Sequence, residues 1–184
     1  PIGIFDSGLG GLTVVEAIVE ALPAETIYYV GDTARVPYGN KSTNSIQKYS
    51  YEICKWLIDK DCKIIIIACN TVSSVALNYL QRNFSIPIIG VIGPGAKSAI
   101  ELSNNQNIAV LGTHATIKSD SYGKYLRSIH PEVKIFSHAC PLFVPLVEEG
   151  WVDGAVPISI AIHYLGKIKK TDADTVILGC THYP

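Results

Sequence analysis

Ile64-Ile65-Ile66-Ile67-Ala68-Cys69-Asn70-Thr71 is a short apolar run that ends abruptly in a thiol, an amide and a hydroxyl. A β-branched run of this length reads as a strand buried on both faces of a parallel sheet. The carboxyl ends of such strands are where open α/β folds hold their ligands. A second run, Thr175-Val176-Ile177-Leu178-Gly179-Cys180-Thr181-His182, repeats the pattern. Each run has a partner upstream: Ile2-Gly3-Ile4-Phe5 leads into Asp6-Ser7-Gly8, and Ile108-Ala109-Val110-Leu111-Gly112 leads into Thr113. The spacing from opening loop to cysteine is nearly the same in both. Any chain that alternates strand, loop and helix resembles itself to some degree, but paired cysteines go beyond that. Two related α/β units are expected, each giving one polar loop and one cysteine loop. Facing one another, they would bring the thiols to opposite sides of a cleft.

Strands are expected at 2–5, 26–30, 64–68, 87–92, 108–112, 133–137 and 175–179. Helical patterns lie between them, near 10–22, 42–60, 71–83, 95–103, 118–130 and 155–169. This alternation predicts an α/β fold of parallel βαβ units. Gly93-Pro94-Gly95 is the best boundary candidate. It divides the chain into a first domain, 1–93, carrying Asp6 and Cys69, and a second, 94–184, carrying Thr113 and Cys180. The last strand stops at Pro184 with no helix after it. A further carboxyl-terminal segment is therefore expected to complete the first domain.

The 184 residues are 48% hydrophobic and 17% charged, a composition that folds rather than staying disordered. A net charge of −1 gives no electrostatic footprint for nucleic acid or an anionic membrane. No apolar run approaches the ~20 residues of a membrane span. The chain begins directly with a strand, so no signal peptide is visible. Five cysteines without a CxxC spacing fit reduced thiols, and a cytoplasmic location is expected. There is no methionine, so residue 1 reads as a processed or trimmed start.

Cys54 and Cys62 lie on or just after a helical pattern and read as packing residues, and Cys140 more weakly so. Cys69 and Cys180 instead follow apolar strands and sit near helix amino ends, where the dipole is expected to lower a thiol pKa. A thiolate there can act as nucleophile or base. Asp6 and Ser7 precede Gly8-Leu9-Gly10-Gly11, whose glycines let the backbone turn sharply and approach a ligand. Thr13 stands where a dinucleotide fingerprint needs its third glycine, and no GK[ST] follows as in a P-loop. Asp6 or Ser7 also reads as a helix N-cap. Tyr38-Gly39 lies in a polar loop after the second strand, with Ser42 as the cap of the next helix. Thr113 and Thr116 flank the loop after the fifth strand. Glu148-Glu149 close an apolar stretch, and His182 stands two residues beyond Cys180. Lys41 raises pyridoxal phosphate, but nothing else in the chain suggests a site for it. Cys180-x-His182 with Cys69 and Asp6 matches no familiar zinc spacing. No metal and no cofactor are expected.

Six runs together resemble the glutamate racemases of the aspartate/glutamate racemase group. They are Ile4-Phe5-Asp6-Ser7-Gly8-Leu9-Gly10-Gly11-Leu12-Thr13, Gly31 to Ser42, Ala68-Cys69-Asn70-Thr71, Leu111-Gly112-Thr113-His114-Ala115-Thr116, Phe143 to Gly150, and Leu178-Gly179-Cys180-Thr181-His182-Tyr183-Pro184. They stand in the family's order along the whole chain. The resemblance implies two pseudo-symmetric α/β domains, no cofactor, and supply of D-glutamate for bacterial peptidoglycan. It implies that Cys69 takes the α-proton from D-glutamate and Cys180 from L-glutamate. Asp6 and His182 then assist the thiols and the substrate ammonium, and Glu148 assists His182. Ser7, Tyr38, Gly39, Asn70, Thr71 and Thr181 bind substrate, with Thr113 and Thr116 offering hydroxyls to an anion. Family members continue past the last of these motifs. The expected partner is a small molecule, glutamate, with no nucleic acid and no membrane; a homodimer is compatible with the sequence. Three alternatives stay open. One is aspartate or another amino acid as substrate. Another is a cysteine hydrolase using Cys180 with His182. The third is a ligand-binding module whose thiols only pack.

Overall fold

The computed structural model describes residues 1–184 and divides into two compact units, Pro1–Val91 and Ile92–Pro184. The first contains β1 (Ile2–Asp6), α1 (Leu12–Ala21), β2 (Ile27–Gly31), a 3-10 turn (Tyr38–Asn40), α2 (Thr43–Ile58), β3 (Ile64–Ile67), α3 (Asn70–Val75), α4 (Leu77–Asn83) and β4 (Ile88–Gly90). Its four strands are parallel, in the order β2-β1-β3-β4. The uninterrupted apolar reading of β3 follows from its two covered faces. Ile65 and Ile67 enter a core with Phe5, Ile46, Leu57 and Val72. Ile66 and Ala68 point the other way, onto Ile4 and the α1 side chains Val14 and Ile18. Ser42 caps α2, its Oγ accepting the Ser45 N–H at 3.2 Å.

The second unit contains α5 (Ile92–Leu102), β5 (Asn107–Gly112), α6 (His114–Ser119), α7 (Ser121–Ile129), β6 (Lys134–Ala139), α8 (Phe143–Glu148), α9 (Ala155–Ile168) and β7 (Thr175–Gly179). Its three strands are parallel in the order β6-β5-β7. The repeat is therefore one of topology: β1 is flanked by β2 and β3, and β5 by β6 and β7. In each unit the third strand leads into a cysteine. The burial of the two third strands differs. Ile177 enters the core with Ile108, Val110 and Leu126, but Val176 and Leu178 are each 45% exposed. Within residues 1–184, β7 is thus covered on one face, as the lack of a helical pattern after it leads one to expect. Leu178 lines an apolar cavity of about 410 Å³ bounded by α8, α9 and the residues after β7.

Helix boundaries differ from the pattern in explicable ways. The helix expected near 95–103 starts at Ile92 and takes Gly93-Pro94-Gly95 into its first turn, where proline lacks only an N–H that would be unsatisfied anyway. The helices expected at 71–83 and 118–130 are each broken, at Ala76 and at Asp120, whose φ of 52° is left-handed. The second pair also starts earlier, because Thr113 caps α6. The apolar stretch that Glu148-Glu149 close, for which no helix is expected, carries α8. No helix is long and apolar enough to cross a membrane.

Candidate active site

Asp6 ends β1 fully buried. Its Oδ2 accepts the Gly8 N–H at 3.1 Å and the Gly11 N–H at 3.2 Å, so the glycine loop closes over the carboxylate. Gly11 is needed there: a Cβ would stand 2.6 Å from the Asp6 Cβ. The N-cap of α1 is Gly11 itself, without a side-chain cap. The expectation that Asp6 or Ser7 would cap that helix therefore fails; Asp6 holds the loop in front of it instead. Tyr29 fastens the loop from β2, donating its hydroxyl to the Gly8 carbonyl at 2.7 Å.

Cys69 is the N-cap of α3 and is 4% exposed. Its thiol donates to the Ser7 hydroxyl at 3.6 Å. The expectation of a lowered pKa is overturned. Burial, and then the Asp6 carboxylate, push the thiol up to about 12, while the Val72 N–H, the Ser7 hydroxyl and the Ser7 N–H pull it back only in part. A one-turn helix dipole is weaker than full desolvation. Asn70 and Thr71 open α3 and are buried beside it in the chain. Tyr38 and Gly39 are buried in the 3-10 turn. The Tyr38 hydroxyl donates to the Asp32 carboxylate, and Arg35 Nε lies 2.7 Å from the same group. Arg35 also reaches Glu52 at 2.8 Å and stacks over Tyr49.

In the second unit Cys180 directly follows β7 and is 8% exposed. Gly179 before it allows a close approach, since a Cβ would stand 2.6 Å from the Leu111 carbonyl oxygen. Cys180 Sγ lies 3.9 Å from His182 Nδ1, and the Thr181 hydroxyl lies 3.5 Å from the same nitrogen. His182 Nε2 meets Glu148 Oε1 at 2.5 Å. A carboxylate at Nε2 holds the ring proton there and turns the Nδ1 lone pair toward the thiol. The imidazole can then take a proton from Cys180 or return one. Thr113 caps α6, accepting the Thr116 N–H at 3.2 Å, and the two hydroxyls lie 3.1 Å apart. Both are buried.

Sequence reasoning passed over one group. Asp32 is 7% exposed and holds Tyr38. Its signal was available: like Asp6, it is a carboxylate at the carboxyl end of a strand. No disulfide forms among the five cysteines, and Cys54, Cys62 and Cys140 are all buried. No group of three or more His, Cys, Asp or Glu side chains is placed to hold a metal ion.

A family model described as Asp/Glu/Hydantoin racemase matches residues 2–184. A glutamate racemase of Sulfurihydrogenibium is 54% identical over 185 residues, covering all of this chain and 71% of the relative. Among solved structures, a glutamate racemase isoform from Bacillus anthracis superposes with a TM-score of 0.95 at 43% identity, over the whole chain and 69% of that structure. A glutamate racemase from Francisella tularensis, solved with D-glutamate, gives a TM-score of 0.93 at 43% identity, again over the whole chain and 69% of its own.

Proposed function

The chain belongs to the Asp/Glu/hydantoin racemase family, and from that premise we propose how its residues divide the chemistry. The activity is that of a glutamate racemase, an isomerase that interconverts L- and D-glutamate. Its product, D-glutamate, serves peptidoglycan synthesis and so the cell wall, as the family implies. Inversion at the α-carbon breaks one C–H bond and makes another on the opposite face. One thiolate takes the proton, the bond pair stays on the substrate, and the other residue, as thiol, returns a proton.

Cys69 is assigned to the proton of D-glutamate and Cys180 to that of L-glutamate. Asp6 and His182 assist them, and Glu148 holds His182. Ser7, Tyr38, Gly39, Asn70, Thr71, Thr113, Thr116 and Thr181 contact the substrate. The observation that carries this reading is the recurrence of one thiol after the third strand of each unit. The first thiol needs help to ionise at neutral pH, because burial and Asp6 both disfavour its thiolate. A substrate ammonium set against Asp6 would cancel the second of those effects. The protein works without a resident cofactor in this reading. A homodimer and a cytoplasmic location belong to the same proposal; light scattering and fractionation check them.

The test is exchange of the α-hydrogen in D₂O with the full-length natural protein, each enantiomer supplied separately. Cys69→Ser should suppress exchange from D-glutamate more than from L-glutamate, and Cys180→Ser the reverse. Each variant should lose racemisation by about 10²–10⁴-fold, the usual worth of an acid/base group. Equal suppression of both enantiomers in both variants would count against the assignment. No exchange from either enantiomer with the unsubstituted protein would favour a hydrolase built on Cys180 and His182.

A further inference from the structure

We propose that Tyr164 is a positioning residue for the Cys180 half of the reaction, acting through α8. The inference rests on the racemase reading above. Glu148 is the last residue of α8, and it holds His182. Six residues of helix span only about 9 Å, so a shift at one end is felt at the other. The opposite end is fixed by Tyr164, which projects from α9 and is 6% exposed. Its hydroxyl accepts the N–H of Leu142, the N-cap of α8, at 3.3 Å.

The next residue, Phe143, meets the Tyr164 ring edge-on at 5.2 Å and the Tyr183 ring edge-on at 5.2 Å. Tyr183 is the chain neighbour of His182, and its own hydroxyl donates to the Cys140 carbonyl at 3.0 Å. From behind, Tyr164 is held by the His138 ring of β6 at 5.7 Å. The ladder thus touches the relay twice. It reaches His182 through Tyr183, and it reaches Glu148 through the axis of α8. A carboxylate displaced by about 1 Å no longer orients the imidazole, and misplacement on that scale costs up to about 10²-fold in rate.

Tyr164→Ala and Tyr164→Phe in the full-length natural protein test this, with α-deuterated L- and D-glutamate as substrates. Tyr164→Ala should lower turnover about tenfold with KM within about twofold. Slowing only the Cys180 step makes proton removal from L-glutamate more rate-limiting. It also makes proton return, not removal, limiting for D-glutamate. The substrate isotope effect should therefore rise with L-glutamate and fall with D-glutamate. Tyr164→Phe keeps both ring contacts and loses one hydrogen bond, so it should recover most of the turnover and show a smaller asymmetry in the same sense. Isotope effects that move together or in the opposite sense overturn the proposal, as does wild-type behaviour in both variants. If Tyr164→Ala does not fold, Tyr164→Phe alone decides by the same asymmetry. Wild-type turnover of glutamate judges the racemase reading separately. The ¹⁵N resonances of His182 without substrate should move in Tyr164→Ala, and unmoved resonances overturn the inference whatever the wild type turns over.

Discussion

Cys69 and Cys180 occupy matching places in their units, yet their surroundings share little. Around Cys69 stand a buried carboxylate already bound to loop amides, a serine hydroxyl and a tyrosine whose acidity burial suppresses further. Around Cys180 stand an imidazole and a second carboxylate behind it. The difference teaches that a duplicated fold conserves where a group sits more readily than how it is tuned. Position comes from the sheet. Tuning comes from loops and short helices, which diverge freely. A reaction with two opposed participants needs only equal position. On the proposed assignment, the two thiols can be activated by unrelated means.

The sharpest way to break this comparison is to remove the imidazole. His182→Asn should lower turnover by about 10²-fold, and Glu148→Gln, which leaves the ring in place but unheld, by about tenfold. Both losses should fall on exchange from L-glutamate. If they fall equally on D-glutamate, the two sites share one activating group and the contrast is wrong. Next come the glycine before Cys180 and the glycine that closes over Asp6. Gly179→Ala drives a Cβ against the Leu111 carbonyl of β5, which the sheet holds fixed, and should cost about 1–3 kcal/mol of stability in thermal unfolding. Gly11→Ala meets the Asp6 side chain instead. It should cost less stability and mainly disturb D-glutamate exchange.

Smaller again is the effect of charge on Cys69. Asp6→Asn keeps an acceptor for the loop amides but removes a negative neighbour, which favours thiolate. The pH profile for alkylation of Cys69, resolved by peptide mass, should shift downward from its high wild-type range. It should remain above that of a solvated thiol, because burial is the larger cause. A profile that does not shift would remove Asp6 from the electrostatics of this site. The least effect is expected at Asp174, just before β7. The Ser103 hydroxyl and the Asn105 and Asn104 N–H groups hold its carboxyl down at about 2, below the ordinary 3.8. A depressed folded-state value contributes stability above about pH 4 that is lost as pH falls toward 2. Asp174→Asn should therefore flatten the acid limb of the stability profile and leave Cys69 chemistry untouched.

The strands, the helix–strand alternation and the two-unit repeat were legible because buried parallel strands advertise themselves as apolar runs. The runs 64–68 and 175–179 marked β3 and β7 within a residue. The open face of β7 was legible too, since no helical pattern follows that run to cover it. At the site, residue types and their place after strands were readable, and His182 beside Cys180 is simple chain proximity. The charge state of Cys69 was not. Two local rules competed, helix dipole and burial, and only the packing of Phe5, Tyr38 and Val72 around it decides between them. Tyr164 was invisible for a related reason. It lies in a helix where Ile158 and Ile162 are exposed and only Ile160 and Ile168 pack beside it, and its proposed role depends on a helix, α8, that the pattern did not announce.

Strand pairing carries one more consequence. β3 is hydrogen-bonded on both sides, to β1 and β4. Amide protons along β3 reach solvent only through an opening that parts it from its neighbours, not through fraying of an edge. The strand that ends in Cys69 is therefore among the last parts of its unit to exchange, and the thiol is held on backbone that local breathing does not reach.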